Sequence, residues 1–112
     1  MATNAPEPME VTHDGGRTTA RFAKLTSLNE YHADQIGKQL RALADAPGTR
    51  FVTLDLKNVE YLTSTVLGHL VGLNKRLQTA GGRLTVENAC PAVQEIFRVT
   101  QIDQVFDVRP GA

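Results

Sequence analysis

Hydrophobic and polar positions change their spacing several times along the chain, and each change predicts an element. Met9 to Thr12 and Arg17 to Ala23 flank His13-Asp14-Gly15-Gly16, a strong turn signal, so the first region is predicted to be a β-hairpin. Helical spacing follows behind Asn29, a good N-cap residue, and ends at Pro47-Gly48. The apolar stripe of this helix consists of Ala33, Ile36, Leu40, Leu43 and Ala44.

The centre of the chain is predicted to be a strand, a loop and a helix. Phe51 to Leu56 is short and almost continuously apolar, which is typical of a central strand covered on both faces. Lys57 to Thr63 is predicted to be a loop leading to a second helix, from about Ser64 to Thr79, which Gly81-Gly82 ends. An apolar stripe wide enough to pack on a sheet is formed by Val66, Leu67, Leu70, Val71, Leu73 and Leu77.

The last part of the chain repeats the alternation of strand and helix. Arg83 to Glu87 is predicted to be a strand, and Pro91 suits the first turn of a third helix. One side of that helix carries Val93, Ile96, Phe97 and Thr100. A final strand is predicted from Ile102, Val105, Phe106 and Val108.

The order β-β-α-β-α-β-α-β predicts an α/β fold with a mixed four- to five-stranded β-sheet. Helices are expected mainly on one face, and the strand from Phe51 is expected in the interior of the sheet. The residues predicted to be buried are Val52, Leu54, Leu56, Leu70, Leu73, Leu77, Leu84, Val86, Ile96 and Phe97.

Length and charge narrow the choice of function. The 112 residues suit one domain, predicted at residues 9–110 behind a disordered leader at residues 1–8. Twelve basic and 12 acidic residues balance, which argues against binding nucleic acid. The start lacks the basic and apolar segments of a signal peptide, and no stretch approaches the roughly 20 apolar residues that span a bilayer. A cytoplasmic protein without membrane insertion is expected.

No catalytic constellation stands out in the sequence. His13, His32 and His69 are scattered, and none has the spacing of a helical metal pair. Gly81-Gly82 follows a helix rather than opening one, so no phosphate-binding loop is predicted, and the single Cys90 is interpreted as a small apolar filler. We therefore expect a binding module with no cofactor and no metal, rather than an enzyme.

The second helix has an unusual side. Gly68 and Gly72 lie one turn apart, in line with Thr65 and Arg76. Glycine inside an exposed helix costs about 1 kcal/mol relative to alanine, so a reason to keep two of them is expected. Close packing within the domain and a smooth strip for a partner's backbone are both consistent with the pattern.

Ser64 stands at the start of the same helix. On residue chemistry alone its favoured role is an ordinary N-cap, accepting a hydrogen bond from a backbone amide of the first turn. The alternative role is a switch. A phosphate there would meet free amides and the positive end of the helix dipole, and would add up to two negative charges to the surface.

The run from Leu54 to Gly68, LDLKNVEYLTSTVLG, resembles the signature stretch of STAS domains. In that family a strand ending in Asp-Leu leads through a short loop to an Asp-Ser-(Ser/Thr)-Gly-Leu helix start. Downstream, Lys75-Arg76-Leu77, Ala80 to Leu84, Asn88, Pro91-Ala92-Val93 and Ile102 to Phe106 also resemble the family, element by element. The resemblance covers most of residues 9 to 108 and implies a single STAS-like domain.

The resemblance implies a function of the anti-sigma-factor antagonist type. Such proteins bind an anti-sigma factor, a serine kinase of the histidine-kinase ATPase fold, which ends the binding by phosphorylating a serine. Ser64 matches that serine and Thr65 offers a second hydroxyl, while Thr63 and Val66 stand where the family has Asp and Gly. The expected partner surface consists of Thr63, Ser64, Thr65, Gly68, Gly72 and Arg76.

The resemblance also allows a second function. Single-domain STAS proteins also resemble accessory subunits that bind the ATPase of an ABC-type lipid transport complex. In either case a monomer or a weak homodimer is expected.

Overall fold

The structure is a computed structural model that describes residues 9–15, 17–22 and 25–111. The predicted leader at residues 1–8 lies outside these ranges, as do Gly16 and Ala23 of the predicted hairpin. The elements are β1 (Glu10–Asp14), β2 (Arg17–Arg21), β3 (Ser27–Leu28), α1 (Glu30–Asp45), β4 (Phe51–Asp55), β5 (Tyr61–Leu62), α2 (Ser64–Thr79), β6 (Arg83–Ala89), α3 (Pro91–Val99), a 3-10 helix (Ile102–Gln104) and β7 (Asp107–Pro110).

The main sheet has five strands in the order β1-β2-β4-β6-β7. β1 and β2 form the predicted antiparallel hairpin, and the pairs β2–β4, β4–β6 and β6–β7 are parallel. Val52 of β4 lies between Thr18 of β2 and Leu84 of β6. The predicted mixed sheet with β4 in its interior is confirmed.

The core lies on one face of this sheet. Val52 and Leu54 are fully buried toward the helices, whereas Phe51 is 38% exposed and Thr53 and Asp55 are half-buried on the opposite face. The helices are therefore packed mainly on one face, as predicted. The expectation that β4 is covered on both faces is wrong, because its polar residues alternate with its apolar ones and face away from the helices.

Two expectations about the last part of the chain are corrected. Ile96 is only partly buried, while the other nine residues of the predicted core are fully buried. The final strand begins at Asp107 rather than Ile102, since Ile102 lies in the 3-10 helix. Gln101 adopts a left-handed conformation with φ of 62° just before it, which breaks the extended path that a strand would need.

The start of α1 and the end of α2 lie where nearby residues in the sequence predict them. Asn29 Oδ1 accepts a hydrogen bond from Tyr31 N at 2.9 Å, so the predicted cap of α1 is confirmed. Gly81 has φ of 86°, and Gly82 N donates to Leu77 O at 2.7 Å. A side chain at Gly82 would meet the Arg50 carbonyl oxygen at 1.6 Å, so glycine is required where α2 turns into β6.

A small second sheet joins the starts of α1 and α2. β3 and β5 pair in parallel, with Leu28 opposite Leu62, and both leucines are buried. The ladder continues through Glu60 N to Thr26 O at 2.7 Å and Thr63 N to Leu28 O at 3.0 Å. The predicted loop from Lys57 to Thr63 therefore contains a strand, and the ladder brings the first turns of the two helices together.

None of the helices in the described ranges has the length and apolar character needed to cross a bilayer.

Candidate functional site

The start of α2 presents two hydroxyls to solvent. Thr63 has the extended backbone of an N-cap, and its carbonyl oxygen accepts from Leu67 N at 3.0 Å. Ser64 is therefore the first helical residue, and both Ser64 and Thr65 are exposed. The expectation that Ser64 caps the helix is wrong, because the chain enters the helix one residue earlier than that role requires.

The side chain of the N-cap residue Thr63 does not accept a hydrogen bond from the free backbone amides of the first turn of α2. Thr63 makes no side-chain capping bond, and within the described ranges its Oγ1 is buried without a hydrogen-bond partner. The first turn of α2 also contains no acidic residue. The positive end of the α2 dipole consequently lies beside Ser64, with no carboxylate from the first turn of the helix itself to balance it.

The loop before α2 is held in place by polar contacts with β6 and the start of α3. Asp55 Oδ1 accepts from Lys57 N at 3.0 Å and from Asn88 Nδ2 at 2.9 Å. Cys90 Sγ donates to Val59 O at 3.5 Å. Sequence reasoning missed this role of Asp55 and Asn88, since two residues 33 positions apart form a pair only through the parallel register of β4 and β6.

The two glycines of α2 are open to solvent. Apart from the adjoining residues and the backbone of the helix itself, a methyl group at Gly68 or Gly72 would meet no atom of the described residues within 4 Å. Close packing within the domain therefore does not explain them. The glycine that does serve internal packing is Gly37 of α1, where a methyl group would lie 2.7 Å from the His69 ring of α2.

A shallow groove of about 120 Å³ runs between α1 and α2. Its lining consists of Gly37, Leu40, Arg41, Gly68, His69, Gly72, Leu73 and Arg76. Three of the predicted partner residues, Gly68, Gly72 and Arg76, thus lie along one groove on the same helix that Ser64 and Thr65 begin. Arg76 Nη1 also pairs with Asp45 Oδ1 at the end of α1, at 2.7 Å.

The groove also contains a residue that the sequence did not indicate. Arg41 comes from α1 and is exposed, and no ion pair is found for it among the described residues. Its signal in the sequence is weak, because the α1–α2 packing that brings Arg41 and Gly72 to the same groove cannot be derived from helical spacing alone.

The exposed functional groups at the start of α2 and along the groove are hydroxyls and guanidinium groups. The described part of the chain holds no group of three or more His, Cys, Asp or Glu side chains that could bind a metal ion. On α3, the hydrogen bond from the Arg98 guanidinium lowers the pKa of the Glu95 carboxyl, but this pair is fully exposed. Glu95 and Arg98 lie on α3, away from the start of α2 and from the groove between α1 and α2.

Comparison with known proteins identifies the family. The STAS domain family model matches residues 25–111, so the chain belongs to the STAS family. It is 30% identical to the anti-sigma-B factor antagonist of Bacillus subtilis, over 72% of each chain. It is 31% identical to BtrV of Bordetella bronchiseptica, named as an anti-sigma factor antagonist, over 72% of this chain and 69% of that one.

A solved structure agrees with these relatives. An anti-sigma-factor antagonist (STAS) domain protein from Planctomyces limnophilus superposes with a TM-score of 0.82 at 29% identity. The match covers 93% of this chain and 90% of that chain. The predicted STAS fold is confirmed, and the antagonist type is supported over the transport-complex alternative.

Proposed function

We propose that this chain is an anti-sigma-factor antagonist that works in the cytoplasm by binding, without catalysis or a cofactor. Its partner is an anti-sigma factor, a serine kinase of the histidine-kinase ATPase fold. The single observation that carries this proposal is the 30–31% identity to antagonists of two bacteria over 72% of this chain. The binding surface consists of the exposed start of α2 and the glycine side of that helix, in a monomer or weak homodimer.

Ser64 is the switch in this proposal. Its hydroxyl is exposed, and the structure gives it no capping duty that a phosphate would disturb. A phosphate at the first helical position would face unsatisfied amides and the positive end of α2, so the fold would tolerate it. The added charge would oppose a partner that docks on the same turn, because the partner would have to desolvate it. Thr65 is the neighbouring hydroxyl that the same kinase could reach.

A pull-down from the native cell tests the partner. We expect the wild-type chain to enrich an ATPase of the histidine-kinase fold, and the Ser64→Asp variant to lose it. The purified ATPase should then bind the wild-type chain directly and transfer phosphate from ATP to it. Enrichment of an ABC-type ATPase by both variants, with no binding to a kinase-fold protein, would overturn the proposal.

A further inference from the structure

The groove between α1 and α2 has the features of a binding cleft for a segment of another protein. Leu40 and Leu73 are buried at its apolar floor, and Gly68 and Gly72 form one smooth wall. The opposite wall comes from α1, with Arg41 on its rim. The two helices fix the width of the groove, because His69 packs directly against Gly37.

The smooth wall serves nothing inside the domain. Glycine weakens an exposed helix, yet a methyl group at Gly68 or Gly72 would lie more than 4 Å from every other element in the described ranges. Larger side chains there would fill the groove from the α2 side. A segment of another protein can therefore contact this side of α2.

The charges at the groove favour an acidic occupant. α2 carries no carboxylate, and its one charged residue in the groove lining is Arg76, since Lys75 lies outside that lining. Arg41 has no ion-pair partner in the described ranges, and Arg76 has one, Asp45. Two guanidinium groups against one carboxylate leave an excess of positive charge at the rim, and guanidinium binds carboxylate in a bidentate way.

We propose that this groove binds an acidic segment of the anti-sigma factor. Small side chains of the segment lie against Gly68 and Gly72, and a carboxylate pairs with Arg41. This inference rests on the proposed function and adds to it the chemistry of the partner's segment. It extends the docking surface from α2 onto α1.

The first test uses a defined probe that does not depend on the partner. A short capped helical peptide of alanine and glutamate is titrated into the isotopically labelled protein, beside a control peptide with glutamine for every glutamate. Amide shifts should saturate and be confined to α1 and α2 around Gly37, Gly68 and Gly72. Arg41→Gln should abolish them, and the glutamine peptide should not cause them. Equal shifts with both peptides, or shifts elsewhere on the molecule, overturn the proposal.

The second test uses the purified anti-sigma factor. Arg41→Glu should weaken its affinity by about tenfold or more, with a smaller loss at high salt. Lys75→Glu is the matched control, because it makes the same change in net charge on a residue outside the groove lining. The two variants should keep the same thermal midpoint as the wild type to within a few degrees.

The two proposals fail in different ways. If the wild-type chain binds the anti-sigma factor and Ser64→Asp abolishes binding while Arg41→Glu does not, only the groove proposal is wrong. If no kinase-fold partner binds but the glutamate peptide occupies the groove, the proposed function is wrong and the groove's preference for an acidic segment stands.

Discussion

At the scale of single residues, Thr63 and Ser64 divide two roles between them. Thr63 has the backbone of the cap, while its hydroxyl is buried without a partner in the part of the chain described. Ser64 is exposed on the first turn and is not needed to begin the helix. A change at Ser64 can therefore alter the surface without removing a structural bond.

Ser64 variants should separate surface charge from stability. Ser64→Ala should change the free energy of unfolding by less than about 0.5 kcal/mol, since no cap is lost. Ser64→Asp should be more stable by about 0.3–1 kcal/mol, because a carboxylate faces the positive end of α2. Alanine should keep partner affinity and aspartate should lose it. Denaturant titration and calorimetric binding measure both effects.

Thr65→Ala is the control for these variants, because it removes the neighbouring hydroxyl and leaves Ser64 in place. Mass spectrometry of the protein from its native cells should find phosphate at Ser64. If no growth condition gives phosphate at Ser64 or Thr65, and Ser64→Asp binds as tightly as the wild type, Ser64 has no regulatory role.

The two helix caps should respond differently to removal of their oxygens. Asn29→Ala should destabilise by about 0.5–2 kcal/mol, because Asn29 Oδ1 accepts the Tyr31 amide. Thr63→Val keeps the shape of the side chain and removes a buried hydroxyl without a partner, so stability should stay level or rise by up to about 1 kcal/mol. Thermal unfolding of the two variants side by side measures the contrast. A larger loss for Thr63→Val would show that its hydroxyl is bonded in solution.

At the scale of elements, Gly72 within α2 has open space beside it, whereas Gly82 after the end of α2 lies against the backbone of Arg50. Gly72→Gln should leave stability unchanged or raise it by about 1 kcal/mol, because glutamine is the better helix former and the space is open. Partner affinity should fall, since the longer side chain fills the groove wall. Parallel measurements of the unfolding midpoint and of binding per folded molecule separate the two effects.

Gly82→Ala is the contrasting variant. Its methyl group would collide with the Arg50 carbonyl, so we expect a loss of about 1–3 kcal/mol or more with normal affinity per folded molecule. Normal binding by Gly72→Gln would place the docking surface away from α2.

The sequence predicts well those elements whose apolar pattern extends over many residues or whose ends carry a strong signal. The bounds of α2 and the cap of α1 follow from a wide apolar stripe, Asn29 and Gly81-Gly82. β3 and β5 have two residues each, too few to show a period, and their pairing is a long-range contact. The start of α2 was predicted, but the residue acting as cap and the Arg41 side of the groove depend on tertiary packing.

At the scale of the whole molecule, α2 packs against both α1 and the sheet, with Leu70 only 1% exposed. Leu70→Ala should therefore destabilise the domain by about 2–5 kcal/mol. Val99→Ala is the control, because Val99 of α3 is 65% exposed and its truncation should change stability by less than about 0.5 kcal/mol. Urea midpoints measure both. A midpoint for Leu70→Ala near that of the wild type would place this side chain outside the core.

The face of the main sheet that points away from the helices determines which positions of β4 tolerate substitution. Val52 and Leu54 are buried in the core, while Thr53 between them is half-buried on the opposite face of the sheet. In a complete substitution scan, tolerance along this strand should rise and fall at every second residue, with polar replacements accepted at Thr53 and rejected on either side. Relatives of this chain can thus diverge along the same strand at two different rates.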